Sequence, residues 1–88
     1  TDVAANKASR IDLEGRMNTM LSWFISRNEL KAESYVDIGD SLNSDDLTNG
    51  GEYLNINIVC YFLKLTQGVN INIIVRDGSV SSSVSMVN

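Results

Sequence analysis

Apolar side chains recur at helical spacing in the first third of the chain and at strand spacing in the last third. Ala4, Ala8 and Ile11 lie four and three apart, and Leu13, Met17, Met20 and Phe24 follow four, three and four apart. Each set is a seam of the a/d type that joins helices in coiled coils. The two seams do not share one register, because continuing the first from Ile11 lands on Glu14 or Gly15 and on Asn18. That break predicts a stammer near residues 11–15, or a change there from a narrow seam to a broader buried face. Gly15 sits at the break and weakens a helix by ~1 kcal/mol relative to Ala. Asp2 is placed to cap the helix start, and Ala4, Ala5 and Ala8 supply high helix propensity. The pattern predicts a helix from about Val3 to Glu33. Its second seam suits either the chain's own sheet, together with Leu21, or a neighbouring chain. Trp23 and Ile25 fall off that stripe, which adds a second apolar face.

From Tyr53 onward the period drops to two. Val69, Ile71, Ile73 and Val75 alternate with Asn70, Asn72, Ile74 and Arg76, and Val80, Val84 and Met86 alternate with Ser81, Ser83 and Ser85. Both runs read as strands with one face in a core and the other in water. Asp77-Gly78 between them is a two-residue hairpin signal, since a type I′ turn needs positive φ at both central positions. In the run from Leu54 to Leu65, one face holds Leu54, Ile56, Ile58 and Cys60, and the other Val59, Tyr61, Leu63 and Leu65. This predicts a central strand that is buried on both sides in its second half, or one bulged near Val59 to Phe62. Thr66-Gln67-Gly68 closes a second hairpin. The antiparallel meander so formed needs its apolar face covered by the helix, another sheet or copies of itself.

The expected architecture is therefore α+β, a long N-terminal helix followed by a three- to four-stranded antiparallel β meander. It divides into a helical, coiled-coil-like segment at 1–34, an acidic linker loop at 35–52 and an antiparallel β module at 53–88. The linker carries Asp37, Asp40, Asp45, Asp46 and Glu52 with no Lys or Arg among them. Its order of residues does not fit a calcium-binding EF-hand loop, so it reads as a solvated loop, with Asp45 capping a short turn over Leu47. No metal site and no cofactor are expected.

Composition narrows the function. The 88 residues make one domain at most, and a net charge of −4 with seven basic residues leaves little to neutralise phosphates, so no nucleic-acid partner is expected. No apolar stretch approaches the ~18 residues of a membrane span, so no membrane insertion is expected. The chain has no histidine and a single cysteine, Cys60. That removes the commonest general base and the Ser/His, Cys/His and zinc constellations, which argues against an enzyme. The outward faces of the strands are Asn and Ser, short amides and hydroxyls that pair donors with acceptors at little entropic cost and suit sugar hydroxyls. Candidate ligand contacts are Tyr53, Tyr61, Asn70 and Asn72.

The stretch from Asp2 to Met17, with Arg10, Ile11, Leu13 and Glu14, resembles the short coiled-coil linkers that precede distal domains in bacteriophage tail-fibre and baseplate proteins. Those linkers trimerise, often through an Arg and a Glu that bridge neighbouring helices; here that spacing is one residue short. The run Asp46-Leu-Thr-Asn-Gly-Gly-Glu-Tyr53 is similar to the opening of small receptor-binding knob domains in such fibres, without their usual Pro. The resemblance implies a structural or host-surface-binding module, located in the phage tail of the virion and extracellular when assembled. It implies a homo-oligomer, a trimer for preference, with Ala4, Ala8, Ile11, Leu13, Met17, Met20 and Phe24 at the oligomer interface. Partners would be host-surface carbohydrate or other virion proteins. The alternative is a small acidic inhibitor or immunity-type protein whose linker carboxylates meet a basic protein partner.

Overall fold

A computed structural model describes residues 7–39, 41–43, 53–76 and 79–87. The described residues form one helix, α1 (Lys7–Ser26), and four strands, β1 (Tyr35–Asp37), β2 (Tyr53–Tyr61), β3 (Gly68–Arg76) and β4 (Ser79–Val87). The strands form one antiparallel sheet in the order β1-β2-β3-β4, each next to its sequence neighbour. The α+β class and the meander agree with the hydrophobic pattern. Ala4, Asp2, Asp40, Asp45, Asp46, Glu52 and the Asp77-Gly78 turn lie outside the described residues, as does the side chain of Tyr53.

The helix is shorter than its apolar pattern suggests. It spans 20 residues and stops at Ser26, where the expected helix continued to about Glu33. Asn28 takes a left-handed φ of 60°, the Glu29 N–H donates to the Phe24 carbonyl at 3.1 Å, and the Asn28 N–H donates to the Ile25 carbonyl at 3.0 Å. This is a Schellman cap, and it satisfies carbonyls that a helix end otherwise leaves open. Asn tolerates the left-handed region better than most residues, so Asn28 is the local reason the rod ends there. The chain then turns back, and Leu30 bridges Phe62 beyond the end of β2.

α1 is continuous through Gly15, so the change of seam produces no break in the helix. Instead the two seams point different ways. Leu13, Met17, Leu21, Phe24 and Ile25 pack with Leu30, Val36, Ile38, Leu54 and Ile56, while Ile58, Cys60, Ile73 and Val75 flank this core. Ile11 is 63% exposed and Met20 61% exposed, and Ala8 is also exposed. Leu13, Met17 and Phe24 pack against the chain's own core, one of the two uses expected of that seam, and an 88-residue protein needs them for burial.

The segment expected to be a plain linker contributes β1, in which Tyr35 pairs with Val59 and Asp37 with Asn57. β2 pairs β3 without interruption from Tyr53 opposite Arg76 to Tyr61 opposite Gly68, so no bulge exists within that ladder. β2 is internal, as its two apolar faces predict, yet it ends at Tyr61, and Leu63 and Leu65 beyond it are exposed. Arg76 pairs with Ser79, which leaves a two-residue connection at Asp77 and Gly78.

β4 departs most from expectation. Val80, Val84 and Met86 pair with Val75, Ile71 and Val69 and so share the face on which α1 packs. The helix lies over the β1–β2 side, and these three side chains remain 69%, 66% and 58% exposed. Their alternation is that of a half-buried strand, but nothing among the described residues packs over them.

Candidate binding face

Two surfaces of the sheet differ in chemistry. The face turned from the helix carries Asn55, Asn57, Val59 and Tyr61 on β2, Asn70, Asn72 and Ile74 on β3, and Ser81, Ser83 and Ser85 on β4, with Tyr35 and Asp37 on β1. Because the registers are continuous, these residues form rows across the strands. One row runs Asp37–Asn57–Asn72–Ser83 and the next Tyr35–Val59–Asn70–Ser85. Neighbouring strands in such a sheet lie about 4.8 Å apart, and same-face residues along a strand about 7 Å apart. The outcome is a lattice dominated by amides and hydroxyls, with charge among the described residues at Asp37 on one rim and at Arg76 at the end of β3.

Tyr61 closes one end of this lattice. It pairs with Gly68, and a Cβ at residue 68 would stand 2.6 Å from the ring atoms Cδ1 and Cε1 of Tyr61. The phenol therefore lies directly on the glycine backbone, held in place and half-buried. Of the candidate ligand contacts, Tyr61, Asn70 and Asn72 are brought to one face, with Asn70 and Asn72 half-buried. The amides of Asn57, Asn70 and Asn72 make no hydrogen bond among the described residues. They keep both donor and acceptor for a ligand.

Other asparagines are fully committed. Asn18 on α1 donates Nδ2 to the Val36 carbonyl and accepts the Val36 N–H at Oδ1, both at 3.1 Å. Glu14, one turn earlier, accepts the Ile38 N–H at Oε2 at 2.7 Å. Arg10, a turn before that, is buried, so Arg10, Glu14 and Asn18 form a polar stripe along the helix beside its apolar one. Asn43 repeats the device on β2: its Oδ1 accepts the Asn55 N–H at 2.7 Å, and its Nδ2 donates to the Asn55 carbonyl at 2.9 Å. Asn43 is fully buried, and Asn55 Nδ2 returns a bond to the Leu42 carbonyl at 3.1 Å. At the far end of β2, the Tyr61 N–H donates to Ser34 Oγ at 2.9 Å and the Lys31 N–H to the Tyr61 carbonyl at 2.7 Å. Side-chain amides here stand in for missing strand residues.

A second feature is an open apolar hollow of about 250 Å³ between the end of α1 and the end of β2, lined by Leu21, Phe24, Glu29, Leu30, Cys60 and Phe62. Trp23 meets Phe24 edge-on at 4.9 Å and carries the Arg27 guanidinium 4.5 Å above its ring, while Arg27 also pairs with Glu29 at 3.1 Å. Burial pushes the Cys60 thiol pKa above its ordinary value, which disfavours the reactive thiolate. Among the described residues no group of three or more acidic or thiol side chains is placed to hold a metal ion. Of the linker carboxylates, Asp37 alone is described, and its Oδ1 accepts the Gly39 N–H at 2.8 Å within a local turn. No helix among the described residues is long and apolar enough to cross a membrane.

No protein-family model, curated protein or solved structure matches this chain. The functional reading therefore rests on the geometry and on the residues themselves. Sequence patterns missed Glu14, Asn18, Ser34 and Asn43 because their partners are 12 to 27 residues away. A lone polar residue inside an apolar stretch, such as Asn18 between Met17 and Leu21, was the available signal.

Proposed function

We propose that this chain is a structural or host-surface-binding module of a phage tail-fibre or baseplate protein, acting by oligomeric assembly and binding without catalysis. The observation that supports this reading is the helix-free sheet face, where Asn57, Asn70, Asn72, Ser81, Ser83 and Ser85 form a repeating array of uncommitted amides and hydroxyls beside Tyr61. A repeating polar lattice with a fixed aromatic at one end suits a carbohydrate, whose hydroxyls pair with amides and whose C–H face lies on a ring. Exposed Ile11, Met20 and Trp23 on the helix provide apolar surface for other copies or for neighbouring virion proteins.

Titration of the full chain against a panel of bacterial surface oligosaccharides tests the binding role. The expected result is a saturable heat signal that Asn72→Ala and Tyr61→Ala both weaken while the far-ultraviolet spectrum stays unchanged. Binding that survives both substitutions removes this face from the proposal, and absence of binding across the panel leaves only the structural role.

A further inference from the structure

The two edges of the sheet are not alike, and the open one is self-complementary. β4 pairs β3 along all nine of its residues. Each residue of an antiparallel strand directs its N–H and C=O to one side only. The Tyr61 and Asn55 backbones turn toward the β1 side, so by alternation Val80, Ser82, Val84 and Met86 turn theirs away from β3. These are also the residues whose side chains lie on the helix-bearing face, three of them apolar and exposed. Protected edges usually carry Lys, Pro, a bulge or a cover. The sequence Ser79-Val-Ser-Ser-Ser-Val-Ser-Met-Val87 has no proline and no ionisable side chain, and its pairing with β3 is regular throughout.

We infer that β4 is the docking edge for β4 of a second copy of this chain, the two strands running antiparallel about a two-fold axis perpendicular to the sheet. Such an axis keeps each face on its own side, so even-numbered residues must lie opposite even-numbered ones. The register that overlaps the whole strand centres on Ser83. It sets Val80 against Met86, Ser82 against Val84 and Ser81 against Ser85, joining apolar to apolar at the two ends of one face, with Ser82 beside Val84 at its centre, and hydroxyl to hydroxyl on the other face. All four outward residues of each copy then enter hydrogen-bonded pairs, about eight backbone bonds in total. Charge favours a second copy at this edge above any other place. The chain carries a net −4, so two copies repel where charged groups meet, yet the described Asp, Glu, Lys and Arg side chains lie on α1, between Arg27 and Asp37, and at Lys64 and Arg76. None lies on β4. The result is an eight-stranded sheet with both helices on one side and one continuous polar lattice on the other.

Sedimentation equilibrium of the full chain, combined with hydrogen exchange resolved by residue, tests this. The expected mass is that of two chains, falling to one in Val84→Lys and in Ser82→Pro, which removes an outward N–H and leaves the bonds to β3 intact. In the unsubstituted protein the amides of Val80, Ser82, Val84 and Met86 are expected to exchange slowly when concentrated and quickly on dilution. A monomer at high micromolar concentration, a trimer, or an assembly in which these four amides exchange freely overturns the inference. So does a dimer that survives both substitutions with the fold intact.

Discussion

The β1 edge and the β4 edge end the same sheet in opposite ways. β1 has three residues, and the helix lies against it: Asn18 takes both backbone groups of Val36, and Glu14 takes the Ile38 N–H. β4 has nine residues and nothing from its own chain beyond it among the described residues. A strand edge is a row of unpaired donors and acceptors, so it must be satisfied by water, by a partner or by side chains placed for the purpose. The protein uses side chains at one edge only. Sealing that edge needs carboxylate and amide groups at four-residue spacing on a helix, whereas the serine-rich edge has no such groups beside it among the described residues and is left to water or a partner strand.

Breaking the sealed side should cost the most. Asn43→Ala removes a fully buried amide and orphans both backbone groups of Asn55, so unfolding in urea should show a loss of about 3 kcal/mol. Asn18→Ala exposes Val36 in the same way but at a half-buried site, where water replaces part of the loss, and about 2 kcal/mol is expected from the same measurement. Gly68→Ala tests the interior of the sheet. Its new Cβ must displace the Tyr61 ring, and about 1–2 kcal/mol should be lost, with a change in tyrosine fluorescence. Gly15→Ala touches neither edge. Nothing stands within 4 Å of its added Cβ, so the helix should gain about 1 kcal/mol and the melting temperature should rise.

The smallest effect concerns Cys60. Its thiol pKa is raised by burial, so in the folded protein the reactive thiolate forms only at a higher pH than in the unfolded chain. Alkylation by iodoacetamide should accordingly be slower in buffer than in urea, and its rate profile should sit at higher pH. Equal rates in the two conditions would place the sulfur in water.

Legibility in the sequence follows from whether a residue's partner is near or far. The β3–β4 hairpin was readable because strand period and turn residues are local signals, and the helix was readable from Leu13, Met17 and Phe24. Its end was readable in principle at Asn28, but the apolar run continuing to Leu30 masked it, since Leu30 belongs to the core and not to the helix. β1 escaped notice because three residues are too few to show a periodicity. Asn70 and Asn72 were legible as one face of β3 from the period of two, whereas their alignment with Asn57 and Tyr61 on β2 and with Ser83 on β4 depends on cross-strand register. The exposure of Val80, Val84 and Met86 was illegible. Their pattern is that of buried strand residues, and only the position of α1 decides whether anything covers them.

The pairing of Asn18 and Glu14 with β1 bears on stoichiometry. A sheet with one usable edge has a valence of one, so growth through strands terminates once that edge is occupied. Two copies saturate each other and present nothing further for a third to extend. The helix thus acts as a chain stopper, and a strand rich in valine and serine, otherwise suited to unlimited cross-β stacking, is confined to a finite particle.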